Sequence, residues 1–346
     1  MRWTEEKANE WREKTGWLFG FNYVTSSAVN STEMWQKETY DRETIKRELA
    51  IAAETGYNSC RVFLQYIVWE NERDGLLEKF EDFCEIAYAN GISVMPILFD
   101  DCAFAGKEPY LGEQAPPVPS VHNSGWTPSP GISIADNAEM QQKLCEYVKS
   151  VIGSFKDSKN IVMWDLYNEP GNNNRAAKCL PLVENTFTWA RAINPSQPLT
   201  TGIWEFQEYD LKFAELSDII SYHDYEALEN SKKKIEMLKQ KYNRPILCTE
   251  WLLRQVGNTF ESHMPLFMSE ISGAYNWGLI LGKTQTNLHW GEKNANPEIW
   301  QDDLYYSDGT PYNEAEINFI KKAKYSSSGL KQTPDISNNS NNSNNL

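Results

Sequence analysis

Ile161-Val162-Met163-Trp164-Asp165-Leu166-Tyr167-Asn168-Glu169-Pro170 opens as an apolar run and closes on two polar residues and a proline. Ile161 to Tyr167 reads as a buried strand. Pro170 has no amide hydrogen to continue a ladder, so the chain leaves the sheet at Glu169. Ile246-Leu247-Cys248-Thr249-Glu250-Trp251 repeats the design, with a strand from Ile246 to Thr249 that runs into a glutamate.

Outward from these two segments, strands alternate with helices along most of the chain. The other expected strands are Leu18 to Asn22, Ser59 to Leu64, Ile92 to Phe99, Leu199 to Trp204, Asp218 to Tyr222 and Gly278 to Gly282. Between them lie amphipathic helical stretches. One opens at Asp41, carries Ile45, Leu49, Ala52 and Ala53 on one face, and stops at Gly56. Another carries Leu76, Leu77, Phe80, Phe83, Cys84 and Ala87 before Asn90-Gly91. A third is expected to begin at Asp136, with Glu139 in a capping-box position and Met140, Leu144, Val148 and Ile152 inward. The last spans roughly Asn313 to Lys324. Apolar strands separated by helices imply a parallel sheet covered on both faces. The fold class is therefore α/β, and a (β/α)8 TIM barrel accounts best for eight such strands. An open doubly wound sheet is the alternative. It would want a glycine-rich phosphate loop after the first strand, where Asn22-Tyr23-Val24-Thr25 stands instead. Residues 1–325 are read as one barrel domain with long loops over its C-terminal mouth, and residues 326–346 as a disordered Ser/Asn-rich tail.

The 346 residues carry a formal net charge of −15, which argues against nucleic acid and against an anionic membrane surface as partners. No run approaches the roughly 18 apolar residues of a membrane span. The N-terminus lacks the apolar stretch of a signal peptide, so a cytoplasmic location is expected. Six cysteines without a close pair suggest neither a disulfide framework nor a zinc site. The 13 Trp and 17 Tyr fill the core and also suit a site that stacks on sugar rings.

Catalytic groups of an eight-fold barrel stand at the C-terminal ends of its strands. Those positions hold Asn22, Arg61, Asp100, Asn168, Glu169, Trp204, His223, Tyr225 and Glu250, a polar set for so apolar a sheet. Two carboxylates facing each other across the mouth are what glycosidic bond cleavage needs: one to protonate the leaving oxygen, one to attack the sugar carbon. The Asn-Glu-Pro of residues 168–170 and the Thr-Glu-Trp of 249–251 resemble the signatures of clan A glycoside hydrolases. The layout is most similar to family 5, the cellulase, mannanase and β-mannosidase family. Arg61, the run His223-Asp224-Tyr225 and Trp290 match in order. The resemblance spans roughly residues 17–324 and implies that Glu169 is the acid/base and Glu250 the nucleophile of a retaining mechanism. A proton donor needs a raised pKa and a nucleophile must stay ionised. Arg61 and Tyr225 are expected beside Glu250, Asn168 at the sugar 2-hydroxyl, and His223 on a hydroxyl or orienting its neighbours.

Each residue also has a plainer reading. Asn-Glu-Pro alone makes a loop entry, Arg61 a structural ion pair, His223 a satisfied strand-end histidine, and Asp100 with Asp101 a turn cap. In the expected eighth strand Trp277 sits at the start, away from the mouth, with Lys283 and Gln285 nearer to it. The sugar platform is therefore assigned to Trp290. The long insert after the third strand brings His122, Asn123 and Trp126 over the mouth. Crowded loops favour a pocket, hence an exo-acting β-glycosidase on short oligosaccharides, with β-mannoside preferred on family resemblance and β-glucoside and β-xyloside next. Alternatives are an endo-β-glycanase of mannanase, glucanase or xylanase type, a transglycosylase, and a sugar-binding barrel without turnover. A metal-dependent hydrolase would want clustered histidines, and the four present are scattered, so no cofactor or metal is expected. Oligomeric state is not readable.

Overall fold

The computed structural model describes residues 1–328 apart from 105 and 295. Its centre is eight parallel strands: β1 (Leu18–Tyr23), β2 (Ser59–Phe63), β3 (Ser93–Asp100), β4 (Trp164–Asn168), β5 (Leu199–Thr200), β6 (Ile220–Asp224), β7 (Ile246–Trp251) and β8 (Gly273–Asn276). They pair in the order β5-β4-β3-β2-β1-β8-β7-β6. A parallel bridge between Ile203 and Tyr222 draws the chain after β5 against β6, so the sheet is a nearly closed (β/α)8 barrel.

The strands alternate between two apolar environments. Phe19, Phe21 and Tyr23 of β1 and Cys60 and Val62 of β2 pack outward against the helices. Leu18, Met95, Met163, Ile219, Leu247 and Tyr275 form a separate cluster in the barrel floor, together with Ala8. Ala8 comes from a helix, Glu5–Thr15, that precedes the first strand; with Trp11, which packs against the same cluster, it makes only two apolar positions, too few for a periodicity to mark that helix in the sequence. Above the floor the interior turns polar. Tyr275 Oη donates to Ser59 Oγ at 2.8 Å, and above it lie Arg61, Asn22 and Asp165, all buried. Gly20 lets the Tyr275 ring cross the barrel, because a Cβ there would stand 2.0 Å from it.

Two expectations fail. The eighth strand is Gly273–Asn276, not Gly278–Gly282. The GLILG run is the more apolar of the two, yet its Ile280 makes only an isolated bridge to Tyr305. Asp136 closes a short helix, Ile132–Ala135, and accepts from Arg175 Nη2 at 2.5 Å, while the long helix starts at Gln141. The last helix runs Glu314–Ser328, through the first residues of the expected tail. Residues 329–346 of that tail lie outside the described residues.

Candidate active site

Glu169 directly follows β4, with a positive φ of 41° that carries the chain sharply out of the sheet. That conformation is uncommon for a residue with a side chain, and contacts of the loop after β4 hold it in place. Asp101 accepts from Gly171 N at 2.8 Å and from Tyr167 Oη at 2.7 Å, and it pairs with buried Arg175. Glu250 lies within β7. The pairing with β6 slips there, His223 facing Glu250 where Tyr222 faced Cys248, and this bulge aims Glu250 into the mouth.

The two carboxylates meet across one imidazole. His223 Nδ1 lies 2.9 Å from Glu169 Oε1 and 3.4 Å from Glu250 Oε2. One oxygen of each glutamate and one nitrogen of the histidine fall within 4.8 Å of one another. Arg61, fully buried, donates from Nη1 to Glu250 Oε1 at 2.7 Å. It also reaches Asp165 Oδ2 (2.9 Å from Nε), Asn22 Oδ1 (2.7 Å) and Asn168 Oδ1 (2.6 Å). Tyr225 Oη donates to Glu250 Oε2 at 2.9 Å. Glu169 Oε2 accepts from Asn172 Nδ2 at 2.7 Å and from the Cys102 thiol at 3.1 Å.

Electrostatics of the resting site run against the order expected for a proton donor at 169 and an ionised group at 250. Burial is the largest influence on Glu250 and holds it above the ordinary carboxylate range, against the pull of His223 and Arg61. Burial pushes the same way on Glu169. There His223, Cys102 and Asn172 outweigh it, and Glu169 sits below the ordinary range. Donors concentrated on Glu169 favour its charged form. Among the described residues, Glu169, His223 and Glu250 are the His/Cys/Asp/Glu grouping that could hold a metal ion. Their oxygens are already committed to Arg61, Tyr225, Asn172 and Cys102, and the Arg61 charge opposes a second cation.

A cavity of about 300 Å³ opens above the pair, lined among others by Asn168, Glu169, Glu250, Tyr225, Trp204, His122, Trp126 and Trp290. The remaining expected residues lie beneath it. Asn22 is a brace, not a ligand-facing group: its Nδ2 donates to Thr249 O at 2.8 Å and Asn276 O at 3.2 Å. Asp100 accepts from Asn168 Nδ2 (2.8 Å) and Trp126 Nε1 (2.7 Å), and burial pushes it up to about 7. Lys283 is drawn away to Glu33 at 2.6 Å, and Gln285 to the carbonyls of Val118 and Val121. Trp277 immediately follows β8 and does line the cavity, as do Cys102, Phe104, Asn123 and Asn172. Misplacing β8 by a few residues put Trp277 at the wrong end. Cys102 gave no sequence signal, since a lone thiol after a strand is usually core.

The mouth is sealed on one side. His122 Nδ1 donates to Leu288 O at 2.8 Å, which leaves Nε2 to accept from Trp290 Nε1 at 3.0 Å. Burial pushes His122 down to about 4, so it stays neutral and the bond holds. Trp290 in turn stands edge-on to Tyr225, ring centroids 4.9 Å apart.

Over residues 121–301 the sequence matches the family described as glycosyl hydrolases family 2, TIM barrel domain. Among solved structures the fold is similar to the exo-β-1,4-mannosidase Op5Man5 from Opitutaceae bacterium strain TAV5. The TM-score is 0.65 and identity 14%, over 92% of this chain and 61% of that one, so this chain spans under two thirds of that protein's length. It is similar to a glycoside hydrolase family 5 subfamily 18 protein from Streptomyces cattleya, solved with Manβ1-4GlcNAc (TM-score 0.59, 11% identity, 92% and 82% covered). It is also similar to the endo-1,4-β-D-mannanase of Thermotoga petrophila (TM-score 0.56, 12% identity, 89% and 99% covered). At such identities the likeness concerns the fold. No helix among the described residues is long and apolar enough to cross a membrane.

Proposed function

Because the chain belongs to the glycosyl hydrolase family 2 TIM-barrel domain family, and so to the clan A glycoside hydrolases, we propose that it is a retaining β-glycosidase working through Glu169 as acid/base and Glu250 as nucleophile. The observation that carries this reading is the close approach of the two carboxylates, one oxygen of each within 4.8 Å of the other. Retention calls for carboxyl groups about 5–5.5 Å apart, and inversion for about 6.5–9.5 Å to admit a water.

In the first step Glu250 Oε2 attacks the anomeric carbon while Glu169 passes its proton to the departing glycosidic oxygen. A covalent glycosyl ester forms and the alcohol leaves. In the second step Glu169, now charged, takes a proton from water, whose oxygen displaces Glu250 from the same carbon. Arg61 keeps Glu250 aligned through both steps, and Tyr225 gives up its bond to Oε2 as the ester forms. Asn168 is committed to Arg61 and Asp100 but faces the cavity, which suits a contact to the sugar 2-hydroxyl that strengthens in the transition state. The productive form carries its proton on Glu169, the less basic of the two, so it is a minor form. Activity should then peak between the two apparent pKa values of the pair and fall on either side.

The sealed side of the cavity supports exo cleavage of short chains, and the likeness to a mannosidase and a mannanase supports β-mannoside as the glycone. The Streptomyces cattleya neighbour, a family 5 protein, supports kinship with family 5 within the same clan. No Lys or Arg is among the described residues lining the cavity, which favours neutral sugars over uronic acids. Hydrolysis of aryl β-mannoside, β-glucoside, β-xyloside and β-glucuronide, wild type beside Glu250→Ala, tests the proposal. Cleavage of a neutral glycoside is expected, lost in the variant, with the β-anomer appearing first by NMR. First appearance of the α-anomer would exclude retention, and preference for the glucuronide would exclude the neutral-sugar reading.

A further inference from the structure

Asn123 sits in the long loop after β3, 1% exposed, and is one of the residues that line the cavity. Among the described residues, neither its Oδ1 nor its Nδ2 has a hydrogen-bond partner. A buried amide with both ends unmet is costly, and such groups in folded proteins call for an explanation. The backbone around it is firmly held. Asn123 N donates to Thr284 O at 2.7 Å, and Trp126 N donates to Asn123 O at 3.1 Å. The loop is further pinned by Gln285 Nε2 on the carbonyls of Val118 and Val121 and by the His122–Trp290 bond. The backbone is therefore fixed, while the polar end of the side chain lies in the cavity wall, unused and free to turn.

Its φ of 47° offers a duller reason for an asparagine, since that residue tolerates the left-handed region better than most. A turn role would account for the backbone. It does not account for a polar end buried at the cavity wall without a partner.

We infer that Asn123 is a specificity-determining residue whose amide turns about its side-chain bonds from the wall into the cavity when substrate enters and grips two adjacent hydroxyls of the terminal sugar, Oδ1 accepting from one and Nδ2 donating to the next. A carboxamide presents one acceptor and two donors in a fixed plane, which matches a vicinal diol and no apolar ligand. The location argues for the glycone. Asn123 belongs to the side of the mouth sealed between the loops after β3 and β8, where Trp126 and Trp277, rings 6.3 Å apart near Phe63, line the same cavity. Trp204 and Asn172, from the loops after β5 and β4, line the cavity near the proton donor, where the leaving group departs. The inference rests on the glycosidase reading above and names the substrate feature that the same site recognises: a neutral pyranoside with a free vicinal diol away from the 2-hydroxyl, which Asn168 serves.

The test uses Asn123→Gly, because glycine adopts φ near 47° without strain and so preserves the turn, with Asn123→Asp as a second variant that keeps shape and one acceptor. The probes are 4-nitrophenyl β-mannoside and β-glucoside, each with its 3-, 4- and 6-deoxy analogues. Asn123→Gly should melt no lower than wild type, yet lose about 10- to 100-fold in kcat/KM on the parent sugar, the scale of leaving a substrate hydroxyl pair unbound. On the two deoxy analogues that lack the gripped hydroxyls the variant should lose much less, and Asn123→Asp should fall in between. Wild-type kcat/KM for Asn123→Gly, or an equal loss on every analogue, would overturn the assignment while leaving the glycosidase reading intact. A wild type as silent as Glu250→Ala on all probes would overturn that reading and this one with it.

Discussion

Glu169 and Glu250 differ less in burial than in the company they keep, and that company sets what each substitution should do. Glu250 is held by a guanidinium and a phenol, Glu169 by an imidazole, an amide and a thiol. Glu169→Ala removes the proton but not the attack, so a leaving group that departs unaided is spared. Loss on alkyl glycosides or oligosaccharides should reach about 10²- to 10⁴-fold, the usual scale of general acid catalysis, with a much smaller loss of the first step on a dinitrophenyl glycoside. Equal losses on both would sink the acid/base assignment. His223 pulls both carboxylates downward, by hydrogen bond and charge at Glu169 and by charge at Glu250. His223→Asn removes that pull, so both pKa values rise. The nucleophile then ionises, and the acid deprotonates, at higher pH. Both limbs of the kcat/KM profile should move alkaline together, whereas movement of the acid limb alone would mean that His223 acts on one carboxylate only.

At the scale of elements, the site is a property of strand ends and of the loops that brace them. One brace lies far from the chemistry. Arg254 forks onto Glu316 of the helix Glu314–Ser328, at 2.6 and 3.1 Å, and donates to the carbonyls of Gln301, Asp302 and Asp303. Gln301 Oε1 accepts from Trp290 N at 3.1 Å, which ties this knot to the cavity wall. Glu316→Ala strands a buried guanidinium and should cost roughly 3–5 kcal/mol, a scale known for breaking buried pairs. Denaturant unfolding reads that directly, and a loss under about 1 kcal/mol would show that water reaches Arg254. The same scale shows what the sequence discloses and what it hides. Strands β1 to β4, β6 and β7 were legible because apolar runs of strand length ended at polar residues, and Glu169 and Glu250 followed from their ends. Strand β8 was not, because Gly273-Ala274-Tyr275-Asn276 is short and built for fit, Tyr275 crossing over Gly20, whereas Gly278-Leu279-Ile280-Leu281-Gly282 has the louder composition. Trp277 was lost with it. Asn22 and Arg61 were found as polar strand ends, but only their partners show that they stiffen the floor beneath the cavity.

For the molecule as a whole, the interior carboxylates decide how stability depends on pH. Burial raises Asp100 to about 7 and Asp210 and Asp303 to about 6, and each lies within or supports the walls of the mouth. Asp210 Oδ2 accepts from Glu205 N at 2.6 Å beside Trp204, and Asp303 Oδ2 from Thr286 Oγ1 at 2.9 Å. A carboxyl whose pKa is higher folded than unfolded binds more protons in the folded state. Its contribution is complete below the unfolded pKa of about 3.9 and is lost as pH rises through the folded value. These three carboxyls therefore lower stability from about pH 4 to about pH 7, outweighing His122, which is neutral down to about pH 4 and acts the other way up to about pH 6.5. The net charge of −15 acts in the same direction, because self-repulsion grows above the isoelectric point near 4.9. Salt separates the two, since it screens surface repulsion and barely touches buried groups. Melting temperatures at about pH 5 and pH 8 should differ in high salt as well as low, and Asp210→Asn should shrink the salt-resistant part by removing one titrating group. Loss of the whole difference in high salt would assign the pH dependence to surface charge, leaving the buried carboxylates with no share in it.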